Sequence, residues 1–153
     1  MARMEDLPAG ERAMLENLDL PEYGETPFVA PKPLSERRIA ILSTAALQRR
    51  SDKVFGQGEA SYRVIPTDTD PNDIIMSHAS VNFDRSGFQQ DLNVCFPLER
   101  LKELADDGVI GSVAQFHYTV SGAVDPRQNE DSAREIARMM LREGADTALL
   151  IPI

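Results

Sequence analysis

Hydrophobic and polar positions along this chain switch between two periods, and the switches mark out its elements. Residues 39–43 (IAILS) are a continuous apolar run of the kind found in buried parallel strands. Residues 44–50 fit either a loop or the start of a helix. Residues 61–65 (SYRVI) alternate as a strand does, and Pro66 with the acidic TDTDPND ends them. Residues 74–76 predict a short strand. Leu98, Leu101, Leu104 and Ala105 share one helical face, with Pro97 at the first turn, Glu99 near the positive end and Gly108 at the far end, which predicts a helix over 97–107. Phe116, Tyr118 and Val120 alternate with His117 and Thr119 as a strand, leaving His117 in a structural position opposite the aromatic pair. Ala133, Ile136, Ala137, Met140 and Leu141 return to helical spacing after Asp131, and Gly144 stops them. Residues 147–153 (TALLIPI) read as a buried strand. Strand, helix, strand is a βαβ unit, so the fold class is α/β, a mostly parallel sheet with flanking helices.

One stretch fits neither period. Residues 76–97 (MSHASVNFDRSGFQQDLNVCFP) mix Val81, Phe83 and Phe88 with a dense set of polar groups. Gly87 there offers backbone freedom that other residues lack. The pattern predicts a structured loop, anchored by Phe83 and Phe88, whose polar residues form a site: His78, Ser80, Asn82, Asp84, Arg85, Gln89 and Gln90. His78 follows a strand end and either meets a substrate carboxylate or makes a loop-fixing hydrogen bond. Arg85 pairs either with a carboxylate ligand or with Asp84 or Asp91 nearby. Asn82, Gln89 and Gln90 carry both donors and acceptors, for a ligand or for the loop's own backbone. Ser80, His78 and Asp84 suggest a hydrolase, but no G-x-S-x-G elbow supports it.

Residues 1–37 differ in character. A short helix over 11–18 places Met14, Leu15 and Leu18 on one face, and Pro21, Pro27, Pro31 and Pro33 then favour extended chain. This leader is expected to wrap over the domain of residues 38–153 or to pack on a partner. The last strand has no following helix to cover it. Ligands in open α/β sheets bind beyond the carboxyl ends of the strands, so the pattern is that of the first part of a longer polypeptide.

Composition narrows the function. A net charge of −9 over 153 residues supplies no basic patch for nucleic acid, and Arg37-Arg38 and Arg49-Arg50 read as solvated ends of elements. No run approaches the roughly 18 apolar residues of a membrane span, and the N-terminus lacks a secretory core. One cysteine, Cys95, suits a reducing cytoplasm and sits among apolar neighbours as a buried, inert thiol. Two histidines and that thiol are too few for an ordinary His/Cys metal cluster. Two partial motifs fail. Asp68, Asp70 and Asn72 imitate an EF-hand start, but Pro71 intrudes, and Gly56-x-Gly58 lacks its third glycine because Ser61 stands there.

Four blocks carry a resemblance: GEASYRVIP, then SHASVNFDRSGFQQDLNVCFPLERLKELADDGVIGSVA, FHYTVSGAVDP and GADTALLIPI. In this order, from Gly58 to Ile153, the chain resembles the N-terminal part of selenoprotein B of the glycine/sarcosine/betaine/D-proline reductase family. The resemblance implies a cytoplasmic oxidoreductase subunit that reductively cleaves a C–N bond of an amino acid or related amine. In that family a selenocysteine-x-x-cysteine motif follows the strand resembling TALLIPI. The catalytic pair is therefore expected just after Ile153 and outside this chain, as though a UGA codon had been taken for a stop. The resemblance also implies a partner subunit whose pyruvoyl carbonyl binds the substrate amine, and a thiol reductant. A selenol is the better nucleophile there because it is largely ionised at neutral pH, whereas an ordinary thiol, with pKa about 8.5, is not. The alternative is a noncatalytic α/β module that binds a small carboxylate or a partner protein through the His78–Asp91 loop.

Overall fold

The computed structural model describes residues 3–19, 21, 22, 24, 29–79, 84–122 and 124–153. Among these described residues, seven strands and four α-helices follow one another: α1 (Ala9–Glu16), β1 (Arg38–Ser43), β2 (Leu47–Arg49), β3 (Tyr62–Pro66), β4 (Ile74–Met76), α2 (Ser86–Gln90), α3 (Leu98–Asp106), β5 (Ser112–Val113), β6 (Phe116–Val120), α4 (Glu130–Glu143) and β7 (Thr147–Ile151). Strand β1 is the centre of the main sheet. It pairs in parallel with β7 on one side, and with β5 and then β6 on the other. Antiparallel β3 closes the β6 edge, and a separate antiparallel ribbon joins β2 to β4. The class is α/β, with mostly parallel strands, as the periodicity predicts.

The apolar run of β1 splits by strand alternation between two cores. Ile39 and Ile41 join Leu47, Ile65, Phe96, Leu98 and Leu101 beneath α3 and the ribbon. Ala40 joins Tyr118, Val120, Ile136 and Ala145 beneath α4. Each fully buried large side chain of this kind contributes about 1.5–3 kcal/mol. The helix ends follow local chemistry. Glu99 sits in the first turn of α3, and Glu130 and Asp131 in that of α4. Gly108 and Gly144, just past the helices, take φ of 70° and 77°, the left-handed geometry that glycine accepts without strain.

Four expectations change. Residues 44–50 contain strand β2, held where Leu47 N–H donates to Thr119 Oγ1 at 2.9 Å, a contact with distant chain that local pattern does not show. The aperiodic stretch after β4 contains the short helix α2 and a 3-10 turn at Leu92–Val94, with Gly87 inside the helix rather than in a special conformation. Strand β7 is half-buried on one face and exposed on the other. Leu149 and Ile151 pack on the α3 core, whereas Ala148 and Leu150 are exposed, because α4 lies over β1 and β6. On α4, only Ile136 of the predicted apolar face is fully buried, and Leu141 is 75% exposed. The leader helix α1 buries no residue among those described.

Candidate functional site

The segment after β4 is pinned to β2 and the residue just before it. Ser77 N–H donates to Ala46 C=O at 3.0 Å, and Ser77 Oγ donates to Gln48 Oε1 at 3.1 Å. Ala46 itself has φ of 51°, rare for a residue with a Cβ. His78 follows, buried, and its carbonyl accepts a hydrogen bond from the Arg85 guanidinium. Burial and that nearby cation hold the imidazole below its usual pKa, so it is neutral at pH 7.

Helix α2 begins with a side-chain turn rather than an ion pair. Asp84 accepts from Ser86 N at 2.9 Å and from Ser86 Oγ at 2.7 Å, which lowers its carboxyl pKa. Asp91 repeats the device, accepting from Asn93 N and Nδ2, both at 2.9 Å. Both acids serve local turns, and among the described residues neither forms an ion pair with Arg85. The Asp84 carboxylate is thus engaged by its own turn through Oδ1. That engagement also answers the hydrolase pattern, since Asp84 is bonded to Ser86 and not to His78.

Between α2 and the β2–β4 ribbon lies a groove of about 720 Å³, within the ~300–1,000 Å³ typical of small-molecule sites. Its apolar lining includes Leu47, Met76, Phe88 and Leu92; Arg85 at the N-cap of α2 and Gln89 and Gln90 within it bring polar groups, and Arg50, just past β2, lines the ribbon side. Of the predicted site residues, Arg85, Gln89 and Gln90 therefore meet on one groove. His78 is tied to it through its carbonyl. Ser80 and Asn82, with Phe83, lie outside the described residues.

Arg50 and the ribbon wall were not legible as a site. The Arg49-Arg50 pair divides its labour. Arg49 is engaged by Asp52 at 2.8 Å, and Arg50 donates from Nε to Asn72 C=O at 3.2 Å while lining the groove. Only the strand pairing of β2 with β4 reveals this. Cys95 also lines the groove, but its residue is fully buried and burial pushes the thiol up to about 11. A cleft of about 790 Å³ near Asp19 and Arg127 holds none of the predicted site residues. There Arg127 is already paired with Asp19 and Asp125.

The carboxyl ends of β1 and β7 are cross-tied beside this region. Thr44 N–H donates to Ile151 C=O at 3.0 Å, Ile153 N–H donates to Thr44 Oγ1 at 2.8 Å, and that hydroxyl donates back to Ile153 C=O at 3.3 Å. Ser43 Oγ, next along β1, donates to the carbonyl of the groove residue Cys95 at 2.9 Å. Backbone at Ile153 and the groove are thus both bonded to adjacent residues of one strand end.

Comparison with known proteins gives this arrangement a family. The family described as glycine/sarcosine/betaine reductase selenoprotein B matches residues 50–152. The chain belongs to it. The chain is also similar to D-proline reductase subunit gamma of Acetoanaerobium sticklandii, at 32% identity over 122 residues. That match takes in 78% of this chain and 50% of the relative, so the chain spans about half the length of the curated relative it matches. No solved structure matches. The selenoprotein B match begins at Arg50, just after β2, runs through β7, and contains every groove residue named above except Leu47. Among the described residues no helix is long and apolar enough to cross a membrane.

Proposed function

We propose that this chain forms the first half of a cytoplasmic reductase subunit that cleaves a C–N bond of a small amino acid or related amine. The groove between α2 and the ribbon receives the substrate carboxylate. Family membership carries the reaction class, and the clustering of Arg85, Gln89, Gln90 and Arg50 on one groove supports the carboxylate. Because His78 is held neutral, the guanidinium groups rather than the imidazole supply positive charge. Cys95 is not the nucleophile, since a buried thiol with raised pKa is protonated at pH 7.

The redox pair, selenocysteine with a nearby cysteine, is placed beyond Ile153. There the Thr44 hydroxyl would steady the incoming backbone. A pyruvoyl carbonyl on a partner subunit activates the substrate amine. Cleavage adds two electrons and two protons across the C–N bond, drawn from a thiol reductant. Residues 38–153 act as the α/β domain, and residues 1–37 as a leader that packs on it or on a partner.

The test uses the complete subunit with its partner and a dithiol, offered glycine, sarcosine, betaine and D-proline. Release of amine or ammonia, or of the opened amino acid from D-proline, is expected from at least one. Arg85→Ala is expected to raise KM at least tenfold with a smaller change in kcat. No reduction of any of the four would overturn the reaction class, and an unchanged KM would overturn the groove. Carboxylate binding without reduction would instead favour the noncatalytic module. The codons after that of Ile153 give an independent check. UGA followed by an open frame with a cysteine codon three positions on is expected, and UAA or UAG would sink the redox assignment.

A further inference from the structure

We propose that the bare surface formed by α4 and β7 is an internal interface, covered by a helix and an added parallel strand from the other half of the reductase subunit. The inference rests on reading this chain as half of such a subunit. Ala133, Ala137 and Leu141 lie at successive i, i+4 positions of α4 and all three are exposed, with Ala133 also at the rim of the cleft beside leader residues Asp19, Pro21 and Glu22. The register pairs Ala148 with Ala40 and Leu150 with Leu42, which puts these four on the same face of the sheet. Ala40 is covered beneath α4, but Ala148 is exposed and Leu150 is 64% exposed. Next to them the outer edge of β7 pairs with no strand among the described residues. An apolar helix stripe, an apolar strand face and an open parallel edge therefore adjoin.

Chain topology says what fits there. From β6 the chain crosses β1 by way of α4 to reach β7. Parallel crossovers share one hand in nearly all proteins. A further strand added beyond β7, continuing in the same direction across the sheet, would bring its crossover helix onto the same face as α4. That face carries Ala148 and Leu150. The small side chains of Ala133 and Ala137 would let a helix approach α4 closely, near the 8–10 Å axial spacing of packed helices. The source of that unit follows from length, since the matched part accounts for only 50% of D-proline reductase subunit gamma.

The experiment compares the 153-residue chain with a chimera in which it replaces the matched part of the Acetoanaerobium relative, so that the other half is present on one polypeptide. Amide exchange across β7 is expected to slow at least tenfold in the chimera. Leu150→Asp is expected to leave the melting temperature of the short chain unchanged, because the side chain is already in water, and to restore fast exchange in the chimera. Ala137→Glu should act likewise. Equal exchange in both proteins would overturn the proposal. So would concentration-dependent protection in the short chain, which would make a second copy the occupant. Protection lost on deleting residues 3–19 would make the leader helix the occupant, and would overturn it too. None of these readouts uses reductase activity. A chimera that protects β7 yet reduces nothing would sink the functional reading and keep the interface.

Discussion

The backbone N–H of Ile41 donates to Nδ1 of His117 across 3.0 Å, in the middle of the sheet. A side chain does this work because the ladder breaks there. Strand β1 pairs through Ile39 with Val113 and next through Leu42 with Tyr118, and the neighbouring side takes extra residues at Ala114 and Gln115. Without the imidazole, a buried donor would have no acceptor. Because Nδ1 accepts, the ring proton is on Nε2, which donates to Thr67 Oγ1 at 2.9 Å; that hydroxyl donates in turn to Ala114 C=O. Phe96 packs edge-on against the ring. The neutral tautomer is built into the fold, and burial brings the pKa down to about 4.

The pH dependence of stability follows. The unfolded chain protonates this histidine near 6.5, whereas the folded chain resists until about 4, so between these values the unfolded state binds more protons. Stability is therefore expected to rise as pH goes from about 4 to 6.5, with His117 contributing about 3 kcal/mol of that rise. His78, shifted in the same direction, adds to the slope. His117→Leu should cost about 2–4 kcal/mol at pH 7, because it orphans the Ile41 donor. It should also flatten most of the slope. Urea denaturation of both proteins at stepped pH measures this, and parallel profiles would refute it.

Gly111 is needed for room rather than for an unusual backbone angle. A Cβ there would lie 2.7 Å from the carbonyl carbon of Glu36 and 2.9 Å from Arg37 O, both backbone atoms at the entry to β1. Gly111→Ala is expected to destabilise by about 1–3 kcal/mol through overpacking against chain that cannot rotate away. Gly87→Ala, with nothing within 4 Å of the added carbon, should be neutral or slightly stabilising in helix α2. Thermal melts of the two variants should differ clearly, and equal melting temperatures would contradict this account.

Where a segment was long enough to display its period, the sequence located it. The β1 run, the alternation of β6, and the helices α3 and α4 with Gly108 and Gly144 all follow from patterns local to the chain. Strand β2 did not, because Leu47-Gln48-Arg49 is not an apolar run as Ile74-Ile75-Met76 is, and its register comes from those residues across the ribbon. The same non-local pairing hid Arg50 as a groove residue. Density of polar residues marked out the stretch from which Arg85, Gln89 and Gln90 reach one groove, yet it could not show that the Asp84 carboxylate accepts from the backbone of its own turn. Exposure of Leu141 and Leu150 was likewise invisible, since periodicity reports an apolar face and not what covers it.

Glu59 and Arg63 organise the connection into β3. The Glu59 carboxylate accepts from Ser61 Oγ, from Gly56 N at 2.8 Å and from Arg63 at 2.9 Å, which holds its pKa down to about 2. Arg63 also lies over the Phe55 ring at 4.1 Å and donates to Lys53 C=O at 2.7 Å. Since the folded pKa is depressed, this contribution is present above about pH 4.5 and is lost as pH falls toward 2. Glu59→Gln should lower stability at pH 7 and reduce the acid sensitivity. Arg63→Lys should cost about 1–3 kcal/mol although it keeps the charge, because an ammonium cannot reproduce the planar stack and the fork of donors. Melting curves at pH 7 and pH 3 would show both effects, and a fully stable Arg63→Lys protein would remove the structural role given to the guanidinium.

Cys95 offers a measure of native opening because nothing in the folded state activates it. Its Sγ sits 3.6 Å from Leu92 C=O, the residue is fully buried, and burial lifts the thiol to about 11. At pH 8 only about 0.1% of such a thiol is ionised, compared with tens of per cent for a free cysteine. A disulfide reagent also needs physical access that the packing of Phe96, Leu92 and Phe88 denies. Native protein is therefore expected to react at least 10³-fold more slowly than unfolded protein, with a rate that rises with urea in step with the loss of structure. Cys95→Ala should cost about 1–2 kcal/mol for the small cavity it leaves. Fast labelling of the native protein would show instead that the groove opens at Cys95, which would return this thiol to consideration as a reactive group.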